Sequence, residues 1–257
     1  MLFQASTKTR EFLERASEVF LDTIFPKHCL GCDIEGAFIC ALCVKNLKRR
    51  VDTERCPACG KEAYLTGKYA NGTLCASCRK SLGLDGIIWS FDYRGKLAPR
   101  VIQAVKYYGI KELIEPLTAI LYDSYLSIPF ALRPEEIADK TDFVKLISIP
   151  LHKRRSRARG FNQAELIAEE LSRLSSWKLE KNILKRARYT ETQTELGREE
   201  RILNMEGAFE LLSPPDKEAT YILIDDIITT GATIGSAAKL LKKNGAKVVW
   251  GMAFAKG

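Results

Sequence analysis

One stretch of sequence decides the fold, YILIDDIITTGATI at residues 221–234. It opens with an aromatic residue and three apolar residues, which predict a buried strand. Two adjacent carboxylates, Asp225 and Asp226, end that strand, and small and hydroxyl residues then lead directly into a helical pattern. Because ligands of open α/β sheets bind outside the carboxyl ends of the strands, this stretch predicts both a sheet and a site.

Strand and helix patterns alternate through the rest of the chain beyond residue 84. We predict strands at residues 87–93, 143–149, 221–226 and 247–255, and helices at residues 161–174 and 232–244. Residues 98–126 predict one or two helices with a break at Gly109. Alternation of this kind builds right-handed βαβ units. The predicted class is therefore α/β, with a mostly parallel sheet that helices flank on both faces.

All eight cysteines lie between residues 29 and 78, and they occur only as C-x-x-C pairs. Such a pair puts two thiolates on one turn, which is half of a tetrahedral zinc site, whereas disulfides between such close neighbours stabilise little. We therefore predict two structural Zn²⁺ ions, with sequential pairing favoured and a cross-braced pairing of alternate pairs as the alternative. The sequential quartets are Cys29, Cys32, Cys40 and Cys43, and Cys56, Cys59, Cys75 and Cys78.

Composition and the distribution of apolar and acidic residues predict the domain organisation and the compartment. The 257 residues are 46% hydrophobic and 28% charged, as in globular proteins. We predict a short amphipathic helix in residues 1–25, a zinc-binding module in residues 26–84 and the sheet domain in residues 85–257. No apolar run reaches the ~18–20 residues that cross a bilayer, and acidic residues interrupt residues 1–25, so we expect no signal peptide, no membrane insertion and a cytoplasmic chain.

The turn after the acidic pair has the composition of a phosphate site. It comprises Thr229, Thr230, Gly231, Ala232 and Thr233. Its small residues let backbone N–H groups approach an anion, and the helix that follows adds its N-terminal dipole. A ribose that donates to Asp225 and Asp226 would separate them from the phosphate, and Mg²⁺ bridging to a pyrophosphate would reduce the repulsion. A Walker-type loop is excluded, since no G-x-x-x-x-G-K-[ST] run occurs.

The formal net charge of +8 falls to about +4 once eight thiolates and two Zn²⁺ ions are counted, because together they add four negative charges. What remains is a local basic run of five cations in seven residues: Lys153, Arg154, Arg155, Arg157 and Arg159. Three interpretations stay open for it: a pyrophosphate site, a surface for single-stranded nucleic acid, or a solvated loop.

Four tyrosines lie at helical spacings in the segment after the first strand, at positions 107, 108, 122 and 125. This spacing predicts core residues. The alternative is that Tyr107 or Tyr108 stacks a nucleobase.

The segment LIDDIITTGATI, residues 223–234, resembles the ribose-5-phosphate loop of the type I phosphoribosyltransferases, which bind phosphoribosyl pyrophosphate. The resemblance implies that Asp225 and Asp226 bind the ribose hydroxyls, that residues 229–233 bind the 5′-phosphate, and that Mg²⁺ accompanies the ligand. It also implies a pyrophosphate loop and a mobile loop over residues 186–209, and Lys106 as a further family feature. The residues concerned are Lys153, Arg154, Arg155, Arg159, Gly160 and Asn162 in the first loop, and Gln193 and Arg198 in the second.

Together with the cysteine module, these motifs resemble the ComF-type competence proteins, which pair a double zinc ribbon with a phosphoribosyltransferase-like domain. The resemblance implies that the chain binds phosphoribosyl pyrophosphate or a related nucleotide, and single-stranded DNA, in DNA uptake. It leaves other DNA-uptake proteins open as partners. Two alternatives remain: an active phosphoribosyltransferase (a glycosyltransferase) with a nucleobase or amine acceptor, whose catalytic residues the sequence does not identify, and a ligand sensor without a nucleic-acid role.

Overall fold

The computed structural model describes residues 26–47, 55–61, 72–127, 143–188, 205 and 207–257. The chain divides into two compact units, Met1–Leu47 and Lys48–Gly257. The predicted helix in residues 1–25 and the predicted loop residues Gln193 and Arg198 lie outside the described residues.

The first unit holds the first cysteine quartet on a turn-rich segment that leads into helix α1, Ala41–Leu47. Within it, the N–H of Asp33 donates to the carbonyl of Cys29 at 2.8 Å. Its buried residues include two of the cysteines, Cys29 and Cys43, together with aliphatic side chains such as Ile39. The sulfur ligands are therefore part of the small core of this unit.

The second unit is built on a sheet of five parallel strands. The described strands are β1 (Gly86–Asp92), β2 (Val144–Ser148), β3 (Lys178–Leu179), β4 (Leu184–Arg186), β5 (Phe209–Leu211), β6 (Thr220–Ile228) and β7 (Val248–Lys256). The parallel sheet has the order β1–β7–β6–β2–β3, and β4 and β5 form a separate antiparallel pair.

Helices cover both faces of the parallel sheet. The described helices of this unit are α2 (Ala76–Leu82), α3 (Leu97–Tyr107), α4 (Ile114–Leu126), α5 (Lys153–Arg159), α6 (Gln163–Ser175) and α7 (Ala232–Lys243). Helix α6 packs on β2 and β6 and against α4, whereas Ile234 and Ala237 of α7 share a buried cluster with Tyr221 and Leu223 of β6. Successive residues of a strand face opposite sides, so the side chains of β6 that alternate with Tyr221 and Leu223 point to the other face of the sheet. The predicted α/β class, with a zinc-binding module before the sheet, is confirmed.

Two predicted elements differ from the structure. Strand β6 continues two residues past its predicted end at Asp226, because Ile227 and Ile228 keep their register with β7. The basic run is a helix, α5, and not a loop. His152 caps it by accepting the N–H of Arg154 at 3.3 Å, and Gly160 ends it with a φ of 75°. Among the described residues, no helix combines the length and the apolar character that crossing a membrane requires.

The core prediction for the tyrosines is right at one end of the segment and wrong at the other. Tyr125 is fully buried, and its ring meets that of Trp177 edge-on with a centroid distance of 4.7 Å. Tyr122 is half-buried. Tyr107 and Tyr108 are 69% and 80% exposed, because the buried face of α3 ends two residues earlier and the chain turns away there.

The second cysteine quartet belongs to the sheet unit. Helix α2 packs against α7, where a Cβ at Gly235 would lie 3.0 Å from the carbonyl oxygen of Leu82, so a glycine is what this close approach accommodates. The N–H of Ile87 in β1 donates to the carbonyl of Gly72 at 2.7 Å. The boundary predicted after residue 84 therefore falls inside the second compact unit.

The sheet reverses its winding between β2 and β6. From β2 the chain continues through α5 and α6 to the edge strand β3, and from β6 it continues through α7 to β7 on the other side. The crevice outside the carboxyl ends of β2 and β6 is therefore the topological switch point, where ligands of such sheets bind. The acidic pair lies at this edge on β6, and the basic helix α5 begins shortly after β2 ends there.

Candidate functional site

In each sequential cysteine quartet the four sulfur atoms lie within 4.8 Å of one another. Tetrahedral zinc sites have Zn–S distances of ~2.3 Å, which put the sulfur atoms about 3.8 Å apart. The Sγ atoms of Cys32 and Cys40 are 3.6 Å apart, and those of Cys59 and Cys75 are 3.8 Å apart. The sequential pairing is thus confirmed, and the two quartets fit two structural zinc ions.

The two quartets repeat one local structure. In each, the N–H of the third cysteine donates to the sulfur of the first at 3.3 Å, from Cys40 to Cys29 and from Cys75 to Cys56. Burial raises the pKa of both first cysteines, but backbone N–H donors more than offset it and lower the pKa of Cys29 to about 6 and that of Cys56 to about 7. These donors favour the thiolate, which is the form that zinc binds.

The carboxyl end of β6 carries two neighbouring carboxylates in different surroundings. Asp226 Oδ2 lies 2.7 Å from Nζ of Lys106 on α3, and these two side chains are 14% and 17% exposed. Asp225 Oδ1 accepts the N–H of Asp226 at 2.9 Å. Burial and then the charge of Asp226 raise the pKa of Asp225 to about 7. A hydroxyl donor or a cation at this pair would therefore offset an unfavourable charge.

The hydroxyl-rich turn follows the acidic pair and leads into α7. Gly231 has a φ of 77°, and Thr230 Oγ1 accepts the N–H of Ala232 at 3.3 Å. Thr233 is half-buried in the first turn of α7, and Thr229 is exposed. The turn thus offers hydroxyl groups and a helix N-terminus at one point.

A pocket of about 390 Å³ lies between this turn and the second zinc ribbon. Thr229 and Thr230 line one part of it, and Cys59 and Gly60 of the ribbon line another. Arg94 and Lys256 also line it and bring two cations to the pocket. The turn is therefore in a basic surrounding, which suits an anion.

The charge of Arg155 on the basic helix α5 acts on Arg186, on which the charge of Asp225 also acts. Burial lowers the pKa of Arg186 on β4, the charge of Arg155 lowers it further, and the charge of Asp225 raises it. Arg155 and Asp225 therefore each lie within electrostatic range of Arg186. The structure leaves Lys153, Arg154 and Arg157 exposed on the same helix.

The turn between α5 and α6 contains the remaining predicted anion-binding residues. Asn162 caps α6, and its amide donates to the carbonyl of Ile149 at the end of β2 at 3.1 Å. Arg159 donates to Gln163 at 3.3 Å. Its chain neighbours aside, no group in the described part of the chain lies within 4 Å of the position that a Cβ of Gly160 would take, so the backbone there faces open space.

Comparison with known proteins agrees with this architecture. A double zinc ribbon domain matches residues 20–79. The chain is 31% identical to competence protein F of Haemophilus influenzae, over 88% of this chain and 95% of that protein. It is 30% identical to competence protein ComFC of Bacillus subtilis over 80% and 79% of the two chains, and 31% identical to the DNA utilization protein YhgH of Escherichia coli K12 over 82% and 87%. The chain belongs to the ComF-type family.

The sequence does not predict three cations of this ComF-type candidate site. Arg94 and Lys256 lie next to strand ends that carry no motif, and Arg186 was included only as the first residue of a predicted loop. Only the parallel pairing of β1, β6 and β7 brings Arg94 and Lys256 to the Thr229 turn. No local signal in the sequence could have identified them.

We expect the second zinc ion of the ComF-type chain, and not the first, to stabilise the sheet unit. Cys56 and Cys78 belong to the same buried cluster as Leu82 and the sheet residues. Cys59→Ser should therefore lower the thermal midpoint of the second unit by about 4 °C or more, whereas Cys32→Ser, in the other compact unit, should leave it unchanged. Calorimetry and zinc analysis check this expectation. Equal midpoints in two variants that have each lost one zinc ion would contradict it.

The raised pKa of Asp225 predicts a pH-dependent stability. The unfolded chain loses this proton near the ordinary value of 3.8 and the folded chain near 7, so the folded state binds more protons between these values and stability falls as the pH rises through that window. Asp225→Asn removes the penalty. Its stabilising effect should be larger at pH 8 than at pH 5 by on the order of 1–3 kcal/mol, measured by urea unfolding.

Asp216→Asn is the matched control for this measurement. The N–H of Glu218 and then the ammonium of Lys145 hold the pKa of Asp216 below its ordinary value. Its carboxylate is therefore ionised throughout the range from pH 5 to pH 8, and the effect of its replacement should not vary over that range. A stability gain in Asp225→Asn that is the same at both pH values would contradict the prediction.

Proposed function

We propose that this ComF-type chain binds phosphoribosyl pyrophosphate, with Mg²⁺, at the carboxyl end of β6, binds single-stranded DNA along α5, and acts in DNA uptake. The names of its relatives, two competence proteins and a DNA utilization protein, support the last part. The likeness of residues 223–234 to a ribose-5-phosphate loop supports the first part.

The observation that carries the proposal is the acidic pair followed by the hydroxyl-rich turn at the topological switch point. Ribose hydroxyls would donate to Asp225 and Asp226, which relieves the repulsion that raises the pKa of Asp225. The 5′-phosphate would accept from the hydroxyls of Thr229 and Thr230 and from backbone N–H groups at the start of α7. A phosphorylated sugar offers both kinds of group in one molecule.

The acidic pair also fits a divalent cation. Mg²⁺ is usually bound by one or two carboxylates together with substrate phosphates. The ammonium of Lys106, 2.7 Å from Oδ2 of Asp226, supports a site for positive charge at this pair. Bound Mg²⁺ would supply charge that neutralises a pyrophosphate. Lys106 and Arg155 would add further positive charge toward the same anion.

The charge of α5 supports the DNA part of the proposal. The helix carries five cations and no acidic residue, and three of the five side chains are exposed. A strand of phosphates neutralises such a surface and releases counterions, which makes binding salt-dependent. Arg155 and Arg159 are the two half-buried cations of the helix.

The acidic pair is tested by a double substitution. Asp225→Asn with Asp226→Asn removes the ribose acceptors and the metal charge, while each amide still fills the space of the carboxylate. Charge-assisted hydrogen bonds are worth ~1.5–3 kcal/mol, so calorimetry should find at least a tenfold loss of phosphoribosyl pyrophosphate affinity in the presence of Mg²⁺. Asp216→Asn, near the amino end of β6, should bind normally. Unchanged affinity in the double variant would show that the ligand lies elsewhere. Pyrophosphate release in the same samples distinguishes binding from transfer.

The DNA part is tested by charge removal on α5. Neutralising Lys153, Arg154 and Arg155 to Gln should weaken binding of every single-stranded sequence alike. It should also flatten the slope of log affinity against log salt by roughly 0.7 per lost phosphate contact.

Three exposed lysines on another surface give a control with the same loss of charge: Lys178, Lys181 and Lys185. Their replacement by Gln should leave the slope nearly unchanged. If the α5 variant loses affinity for phosphoribosyl pyrophosphate and keeps its DNA affinity, the run serves the small ligand alone. A salt slope near zero in the unmutated protein would contradict DNA binding altogether.

A further inference from the structure

Tyr107 and Tyr108 are the most exposed large hydrophobic side chains in the described part of the chain, at 69% and 80%. Single exposed aromatic residues are ordinary, but here two consecutive residues both expose their rings, which puts a patch of aromatic surface at this helix end. They end helix α3 directly after Lys106, whose ammonium contacts Asp226 in the candidate site. The patch is therefore next to the site and not on a remote surface.

Two observations place this helix end beside α5 and the turn that follows it. The guanidinium carbon of Arg159, the last residue of α5, lies 5.6 Å from the ring centroid of Tyr107. A Cβ at Gly109 would lie 3.9 Å from the ring of Phe161, in the turn after α5. We name Tyr107, Tyr108 and Arg159 the tyrosine surface. It is continuous with a helix of five cations and no acidic residue.

We propose that the tyrosine surface stacks the unpaired bases of a DNA strand whose phosphates contact α5. The inference rests on the proposed DNA binding and adds to it the residues that hold the bases. Proteins that bind single strands without sequence preference combine a basic groove with aromatic side chains on which bases stack. Arg159 lies against one face of Tyr107, and the high exposure of both rings leaves ring surface open to a base.

A single strand fits this surface better than the other anions do. In a duplex each base is already stacked on its neighbours, so an exposed tyrosine ring finds no base to cover it. A small phosphate ligand would neutralise α5 but would leave the rings of Tyr107 and Tyr108 in water. A single strand carries phosphates and aromatic rings in one chain, and tyrosine can cover a base while its hydroxyl stays hydrated.

The test replaces both rings in the full-length, zinc-loaded protein. Tyr107→Ala with Tyr108→Ala should lower the affinity for a labelled oligothymidine by about fivefold to a hundredfold for each ring removed. Fluorescence anisotropy measures this affinity. An abasic oligonucleotide of the same length should bind equally to the altered and the unmutated protein. The salt slope on both strands should stay as in the unmutated protein, because the phosphate contacts remain.

Two variants control for loss of the rings and for loss of apolar area. Tyr107→Phe with Tyr108→Phe keeps the rings and should keep the oligothymidine affinity. Leu212→Ala removes another exposed apolar side chain, 57% exposed and outside the tyrosine surface, and should also keep it. Thermal midpoints equal to that of the unmutated protein establish that all the variants fold.

The outcomes separate this inference from the proposed function. If the alanine variant keeps its oligothymidine affinity while the unmutated protein binds with a normal salt slope, the tyrosine surface is overturned and DNA binding by α5 stands. If the alanine variant loses affinity equally for the oligothymidine and the abasic strand, stacking is overturned, since the rings then act only on the position of α5. If the unmutated protein binds neither strand, both proposals fail.

Discussion

The central strand β6 is hydrogen-bonded along both edges and buried on both faces, and this constraint fixes the positions of the site residues. Ile224 is level with Ser148 of β2 on one side and with Met252 of β7 on the other. Strand β2 ends at Ser148, whereas β6 continues with β7 alone, so Asp225 and Asp226 follow directly where the sheet opens. Backbone pairing therefore positions the two carboxylates, even where their electrostatic interactions are unfavourable.

Two pairs of like charges lie at this opening, one acidic and one basic, and the repulsion within each pair is unfavourable. Burial and the charge of Asp226 raise the pKa of Asp225, while burial and the charge of Arg155 lower the pKa of Arg186. Such groupings cost stability, so the fold alone gives no reason for them, and they are typical of binding and catalytic sites. A ligand that carries hydroxyl donors at one end and phosphates at the other would relieve both repulsions at once.

What the sequence could predict depended on how local each signal was. The sulfur quartets and strand β6 were predictable, because C-x-x-C spacing and an apolar run act within a few residues. The basic run alone predicts a loop, because five cations in seven residues give no sign that His152 and Gly160 cap this segment as a helix. The exposure of Tyr107 and Tyr108 was not predictable, because the spacing of the tyrosines is the same on a buried and on an exposed part of a helix. Arg94 and Lys256 required the strand order, which no local pattern specifies.

The second zinc ribbon constrains the other side of the candidate site, next to the hydroxyl-rich turn after β6. Helix α2 lies against Gly235 on α7, and Gly60, next to the ligand Cys59, lines the pocket beside Thr229. The ribbon is therefore one wall of the pocket as well as a part of the core. A metal-held wall suits that position, because four sulfur ligands fix a loop-rich segment that has too few apolar residues to hold its own shape. A zinc ion held by the second quartet would therefore complete the core and also shape the pocket beyond the turn after β6.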